Sequence, residues 1–420
     1  MLIEFRVANF RSFCDAQTLS MAASALEDHQ ETHTFDSGLK GVGRFLKSSV
    51  VYGPNAAGKT NLIRALQFMQ KRVVDSASTA PTTLYPYSPF KFSALMRNAP
   101  SEFQVTFVEN GIRYEYGFEM GPERIQKEWL IAYVNPRGRE LFVRNYNEEE
   151  QKYDWKFSSY LKGRRSVWSE VTGPNALFLS TAVQLNSEQL LPVFEWFKKR
   201  LVIIVGITTL NPTLTLKLLN EPDGKERLLP FLREADLGIA DLDIEREPVP
   251  SGALVLHGWP ILEHTPGNPT PNLVKVTLSH WGSDDSEKIG LDLAEESSGT
   301  QVLFRSAGAW LNVFENAEVL LFDEIDTNLH TILIRFLVNK FHSSDSNPKN
   351  AQLLFTTHNT SLLSQDLFRR DQIWFIDKER DGASKLYPLS DFHPRNDESL
   401  ERRYLRGLYG AVPILDDPSL

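Results

Sequence analysis

Cysteine is almost absent from this 420-residue sequence, which contains only Cys14. An intrachain disulfide and a zinc site built on several cysteines are therefore excluded. Apolar runs as long as the roughly 20 residues of a membrane span are also missing. The opening stretch MLIEFRVANF lacks the basic and apolar regions of a signal peptide. Together these absences predict a cytoplasmic protein that has no membrane partner.

Positive charge is scarce as well. The sequence has 45 Lys and Arg against 54 Asp and Glu, which gives a formal net charge of −9. Dedicated DNA-binding proteins are usually basic overall, so the composition does not support a nucleic-acid partner, although it leaves local contacts open. Short basic clusters, which are either partner contacts or ordinary solvated surface, lie at 198–200, at 162–165 and at 402–406.

Strand and helix patterns alternate near both ends of the chain. Short apolar strands are predicted in SSVVYG, AEVLLFDE and AQLLFTTH. Residues 101–160 instead alternate apolar and polar positions, with a hairpin turn at ENG. We expect an α/β fold with a mixed sheet flanked by helices, an antiparallel β subdomain and an inserted, mainly helical subdomain. The expected parts are the head segments 1–185 and 286–390, the insert 186–285 and the tail 391–420.

The stretch GPNAAGKT matches the phosphate-binding pattern G-x-x-x-x-G-K-[ST], and it lies between a predicted strand and a predicted helix. Such a loop points backbone N–H groups at phosphates, and the helix adds its positive end. We expect Lys59 to reach the β- and γ-phosphates of ATP and the Thr60 hydroxyl to bind Mg²⁺. The predicted ATP contacts here are Gly53, Pro54, Asn55, Ala56, Ala57, Gly58, Lys59, Thr60 and Asn61.

Two carboxylates end the apolar strand of VLLFDEID, where ligands bind in parallel α/β sheets. Asp323 is the candidate Mg²⁺ ligand, and Glu324 is the candidate general base for the attacking water. His358 follows the next predicted strand, so it is either a catalytic contact to the same γ-phosphate or a structural residue. The serines and glycine of ESSGT begin a helix, and these residues alone favour an N-terminal cap.

In order and spacing, NFRSF, GPNAAGKTNL, ESSGTQ, LLFDEID with TNLH, and TTH resemble the motifs of the ABC-type ATPase heads of the SMC, Rad50 and RecF group. The resemblance implies a P-loop NTPase fold of the ABC-ATPase type and a homodimer, and it leaves larger assemblies open. It also implies that Ser297, Ser298 and Gly299 contact ATP bound to the opposite subunit. Asp326 lies in the D-loop, His358 is the switch histidine, and Arg11 approaches the phosphates.

The sequence departs from this group in three places. We find no glutamine for the Q-loop, and SPFKF near Phe90 stands at its position. Glu296 replaces the usual leucine of the signature. The long coiled-coil arm is absent, and the insert at 186–285 takes its place.

The C-terminal stretches QIWFIDKERDGASKLYPLSDF and ERRYLRGLYGAVP resemble compact bacterial abortive-infection ATPases of the AbiLi/RloA-like kind, relatives of the Septu and PARIS ATPases. This resemblance implies an ATPase that senses phage infection and controls a separate RloB-like effector, a nuclease or toxin. The alternative is a RecF- or Rad50-like ATPase that acts in DNA repair. The last helix either packs on its own head or docks a partner through Arg402, Arg403, Tyr404 and Arg406.

Overall fold

A computed structural model describes most of the chain. Three large structural units are present: a mostly parallel sheet, a large antiparallel sheet, and a smaller antiparallel sheet with its own helices. The described residues are 1–39, 41–79, 86–134, 137–206, 210, 212–235, 238–249, 261–263, 271–283, 287–395 and 398–413.

The central sheet has six strands in the order β11-β16-β17-β5-β18-β19, parallel except for the last. Four of these strands come from the C-terminal half of the chain. Their short apolar sequences suit strands that are covered on both faces. The strands are β5 (Ser48–Tyr52), β11 (Leu201–Ile204), β16 (Val319–Phe322), β17 (Gln352–Thr356), β18 (Ile373–Lys378) and β19 (Ser384–Pro388).

A seven-stranded antiparallel sheet, in the order β10-β9-β8-β7-β6-β1-β2, forms the predicted β subdomain. Asn110 and Gly111 both have positive φ angles and turn the chain between β6 and β7, which confirms the hairpin predicted at ENG. The strands are β1 (Leu2–Ala8), β2 (Gln17–Ser20), β6 (Ser101–Glu109), β7 (Ile112–Met120), β8 (Ile125–Tyr133), β9 (Arg139–Asn147) and β10 (Lys152–Phe157).

The segment 186–285 contains strand as well as helix. Its strand β11 belongs to the central sheet. Three more of its strands form a separate antiparallel sheet in which β14 pairs with β12, with β13 and with β15, which follows the segment. Periodicity explains this, because LVKVTLSHW alternates apolar and polar residues as a half-buried strand does. These strands are β12 (Ile239–Pro248), β13 (Ile261–Glu263), β14 (Asn272–Trp281) and β15 (Lys288–Asp292). Strands β3 (Thr34–Asp36) and β4 (Arg44–Leu46) form a small ribbon.

Helices cover both faces of the central sheet. The ten described α-helices are α1 (Gln30–His33), α2 (Lys59–Asp75), α3 (Arg165–Val171), α4 (Phe178–Gln184), α5 (Leu191–Glu195), α6 (Thr213–Leu219), α7 (Gly224–Glu234), α8 (Ser298–Asn316), α9 (Thr331–His342) and α10 (Leu400–Leu405). A π-helical turn joins α5 to β11 at Trp196–Arg200. Within the described ranges, no helix is long and apolar enough to cross a bilayer.

Alternate residues of the central strands enter two separate cores. Val51 and Leu321 pack with α2 and the seven-stranded sheet, whereas Val50 and Leu320 pack with α8 and α9. The signature helix α8 is held against the insert at Gly308, since a Cβ there would collide with the backbone of Thr215. The central sheet is therefore the middle layer of three.

The C-terminal helix α10 packs on its own head. The Tyr404 ring stacks on Phe375 of β18 at a centroid distance of 5.4 Å, and the Tyr404 hydroxyl donates to the Ala411 carbonyl. Arg402 and Arg406 are exposed. Residues 414–420 of the predicted tail lie outside the described residues. Packing on the head thus fixes one face of the segment and leaves the other to solvent.

Three histidine rings stack behind the amino ends of the central strands. His33 lies 4.5 Å from His29 and 3.6 Å from His342, measured between ring centroids. The His342 ring also hydrogen-bonds Ser48, the first residue of β5. Burial lowers the pKa of His33 to about 4, and it lowers the pKa of His342 well below the usual value. His33 and His342 are therefore uncharged at neutral pH.

Candidate nucleotide site

The phosphate loop follows β5 and ends where α2 begins at Lys59. It is pressed against the β18–β19 hairpin. A Cβ at Gly53 would collide with the Ile376 carbonyl, and one at Gly58, where φ is +120°, would collide with the Ser384 hydroxyl. Only glycine satisfies both the close contact and the left-handed backbone at Gly58. The first and last glycines of the pattern are thus fixed by the hairpin behind them.

Lys59 is 4% exposed and folds back under the loop. Its Nζ donates to the carbonyl oxygens of Gly53 at 2.7 Å and Pro54 at 3.1 Å. Burial lowers the pKa of Lys59 to about 8, while the nearby carboxylates of Glu324 and Asp323 act to raise it. An arriving phosphate would offer the ammonium a stronger, charged acceptor than these carbonyl groups.

Asp323 is buried at the end of β16, and a threonine on the adjacent strand orients it. The Thr356 hydroxyl donates to Asp323 Oδ1 at 2.7 Å and accepts from the Glu324 backbone N–H at 2.7 Å. Thr356 was not among the predicted site residues. Its position at the end of a strand parallel to β16 is the sequence feature that could have indicated its role. One hydroxyl therefore fixes both the carboxylate and the turn that follows it.

Glu324 is exposed and has a left-handed backbone, with φ of 54°. Such a conformation costs a non-glycine residue about 1–3 kcal/mol, and it persists only where the surroundings impose it. Here the imposing contact is the hydrogen bond from its N–H to Thr356. The turn directs successive acids differently: Asp323 stays buried, and Glu324 reaches solvent.

The residues present suit a magnesium ion. The Asp323 carboxylate and the Thr60 hydroxyl are oxygen donors, and Mg²⁺ is commonly bound by one or two such groups together with substrate phosphates and water. Among the described residues, no group of three or more His, Cys, Asp or Glu side chains could hold a metal alone. That pattern fits an ion that arrives with a nucleotide.

Asp326 and His358 are joined through the backbone. The His358 N–H donates to both carboxylate oxygens of Asp326, at 3.3 and 3.2 Å. Burial and the positive charge of Lys59 lower the pKa of His358, although Asp326 and Glu324 oppose this. The histidine thus shares an electrostatic environment with the loop lysine and the carboxylates, whereas its contact with the γ-phosphate stays a prediction.

The signature stretch caps its own helix. The Ser297 hydroxyl accepts from the Thr300 N–H at 3.2 Å, which confirms the capping interpretation. A Cβ on Gly299 would lie 2.9 Å from the carbonyl oxygen of Asn328, which follows the D-loop residue Asp326. The described residues show no contact between the signature and the phosphate loop of the same chain. The predicted signature therefore lies next to the predicted D-loop.

Glu296, which replaces the usual leucine of the signature, pairs with a histidine that the sequence analysis missed. His280 Nε2 lies 2.6 Å from its carboxylate. His280 belongs to β14, so the separate small sheet contacts the residue just before the signature. No short-range sequence signal links the two positions, which are sixteen residues apart.

Ser12 and Ser384 also support the loop, and both were missed. Ser384 donates its N–H to the Ser12 carbonyl at 2.7 Å and its hydroxyl to the Ala57 carbonyl. Asn61 donates to the Ser12 hydroxyl at 2.9 Å. Asn61 therefore has a structural contact here, whereas its predicted contact to ATP stays a prediction.

The NFRSF turn organises the segment that stands at the Q-loop position. Asn9 accepts from the Phe90 N–H at 3.0 Å and donates to the Met96 and Ala99 carbonyls. Arg11, at φ 53°, donates its backbone N–H to Ser88. The Arg11 side chain lines a cavity beside α2, and it has no described contact with the phosphate loop.

Fold and site together define the class. A phosphate loop between β5 and α2, two acids after β16, a histidine after β17 and a capped helix α8 give this chain the fold of a P-loop ATPase of the ABC type. The chain belongs to the family described as "AAA domain, putative AbiEii toxin, Type IV TA system". The family matches residues 48–171 and 216–364, well over half of the chain.

Solved structures of SMC heads are similar to this chain only at a distance. An SMC head bound to the C-winged helix domain of ScpA has 13% identity and a TM-score of 0.44, covering 92% of this chain and 97% of that one. The SMC head domain from Thermotoga maritima has 13% identity and a TM-score of 0.40, covering 92% and 98%. An SMC head from Pyrococcus furiosus, with an extended coiled coil and bound to the C-terminal domain of ScpA, has 12% and 0.41, covering 97% and 99%. No curated protein sequence matches this chain.

Proposed function

We propose that this protein is a Mg²⁺-dependent ATPase that closes head to head around ATP. We further propose that it is the nucleotide-controlled subunit of an abortive-infection system with a separate effector. The observation that carries the proposal is the position of Gly299 against Asn328. This close approach supports a signature that lies beside the D-loop, and among the described residues the signature has no hydrogen bond to its own phosphate loop.

The hydrolysis step follows from the groups around Lys59. The loop N–H groups and the start of α2 bind the phosphates, and Lys59 neutralises their charge. Thr60 and Asp323 would hold Mg²⁺, which supplies charge neutralisation when bound. Glu324, exposed beside this cluster, accepts a proton from the attacking water. His358, held by Asp326, hydrogen-bonds the γ-phosphate.

A second copy of the chain would complete the site. The start of α8 carries free N–H groups and a positive helix end, which suit a phosphate. Ser297 to Gly299 of one subunit would face the γ-phosphate held by the other, and Asp326 would lie at the same junction. Bound ATP then holds the two subunits together, and its hydrolysis allows them to separate.

The role in defence rests on the family and on the C-terminal resemblance. The family description names an AbiEii toxin and a type IV toxin–antitoxin system. We propose that the closed dimer restrains or releases an effector nuclease or toxin when phage infection is sensed. This role is tested by phage challenge of cells that carry this gene together with the adjacent gene. Protection that survives Lys59→Ala would contradict nucleotide control, and tight, salt-sensitive DNA binding by the isolated protein would favour repair.

The dimer is tested with Glu324→Gln, which should bind ATP without hydrolysing it. Multi-angle light scattering with ATP and Mg²⁺ should report the mass of two chains, and the mass of one chain without ATP. The matched control is Glu324→Gln combined with Ser297→Arg, which should bind ATP equally well and stay monomeric. A monomeric Glu324→Gln protein with saturating ATP would refute the head-to-head arrangement. Loss of ATP binding in the control would place Ser297 in its own subunit's site.

A further inference from the structure

A cavity that is separate from the phosphate loop lies beside α2. Its volume is about 320 Å³, and its walls include Phe10, Arg11, Arg64, Phe68 and Lys71. None of the residues 53–61 lines it. The proposed hydrolysis therefore uses no part of this cavity apart from the predicted approach of Arg11 to the phosphates.

The cavity has excess positive charge. Arg11, Arg64 and Lys71 form no ion pair within the described residues, and Asp75 is the only carboxylate in the lining. Burial and then the positive charge of Arg64 lower the pKa of Arg11, as expected for cations that face each other. Such a group of cations favours an anionic ligand.

Apolar surface adjoins these cations. The rings of Phe10 and Phe68 lie 5.6 Å apart, and both pack on Phe103 behind them, at 5.2 and 5.1 Å. Pro86 adds a further apolar wall. Aromatic side chains next to arginine and lysine are the combination that receives a base together with its phosphate. A simple inorganic anion would leave the apolar wall unused.

The position along α2 separates this cavity from the ATP phosphates. Lys71 comes twelve residues after Lys59, which corresponds to about 18 Å along the helix axis. Phosphates held at the start of α2 therefore cannot contact Lys71. Arg64 and Lys71 are seven residues apart, so they lie on one face of the helix about two turns from each other.

We propose that this cavity is a second nucleotide-binding pocket. The base packs on the part-exposed ring of Phe68, which the buried Phe10 supports from behind, and Arg64 and Lys71 bind the phosphate. The ligand is a nucleotide unit, either free or at the 5′-phosphorylated end of an oligonucleotide. The pocket does not depend on ATP hydrolysis or on dimer formation, so it stands or falls separately from the proposed function.

Binding is measured in the full-length Lys59→Ala protein, which silences the phosphate loop. The probes are a fluorescent N-methylanthraniloyl AMP and a fluorescein-labelled, 5′-phosphorylated six-residue deoxythymidine oligonucleotide. At least one probe should bind, and Arg64→Glu with Lys71→Glu should weaken that binding at least tenfold. The matched control is Lys162→Glu with Arg164→Glu, which reverses the same charges on an exposed surface elsewhere and should leave binding within about twofold.

The two probes distinguish the sources of the ligand. Binding of the AMP probe supports a free nucleotide, and binding of the oligonucleotide alone supports a strand end. Loss of binding in Lys59→Ala compared with the wild type overturns the proposal, because the phosphate loop would then account for it. Equal effects of the pocket and control substitutions, or no binding of either probe, also overturn it. Circular dichroism and thermal melting confirm that both double variants are folded.

Discussion

Replacing Thr356 by valine should test whether hydrolysis depends on the orientation of Asp323 and Glu324, because both carboxylates remain present. The substitution removes the donor to Asp323 and the acceptor for the Glu324 N–H. A hydrogen bond to a charged group contributes about 1.5–3 kcal/mol. If that contribution is realised only when Asp323 is correctly oriented in the transition state, kcat should fall about 10- to 150-fold.

The assay is steady-state ATP hydrolysis with Mg²⁺, together with ATP binding measured separately. Thr356→Val should lower kcat and leave ATP affinity within about threefold, because it spares the loop contacts that bind ground-state phosphate. Thr356→Ser, which keeps the hydroxyl, should retain most activity. Thr181→Val is the matched control, since it removes a buried hydroxyl in α4. Wild-type kcat in Thr356→Val would refute the positioning role.

Two further predictions concern pH. ATP affinity should fall as pH rises above about 8, because the buried Lys59 then loses its proton. The fall should approach tenfold per pH unit and should be absent in Lys59→Arg, so equal Kd values at pH 7 and 9 would contradict it. The second prediction concerns the stability of the folded protein. The folded-state pKa values of His33 and His342 are lowered, so the two histidines make their full contribution to stability above pH 6.5. This contribution is lost as the pH falls toward 4. Because the unfolded state binds a proton that buried His33 excludes, His33 alone should lower the free energy of unfolding by about 2 kcal/mol at pH 5. Urea unfolding measures this drop, which should be smaller in His33→Asn.

The sequence was most informative where function is carried by contiguous residues. The phosphate loop needs glycines and a lysine in fixed order, and parallel strands bring Asp323 and His358 to one edge of a sheet. Residues that act across long separations were invisible. Ser384 touches Ala57 from 327 positions away. Likewise, nothing local showed that β11, inside the predicted insert, joins the central sheet. Such contacts depend on three-dimensional neighbours rather than on periodicity.

The hairpin behind the phosphate loop has a consequence for the order in which the protein is made. Gly53 and Gly58 fit closely against Ile376 and Ser384, so the loop is supported only after β19 has been synthesised. A ribosome-bound chain that has passed the loop but not β19 lacks this support. Nucleotide binding would then begin late in synthesis. Contacts of such long sequence separation also make folding slow. The synthesis of β19 would thus determine when the protein becomes competent to bind ATP.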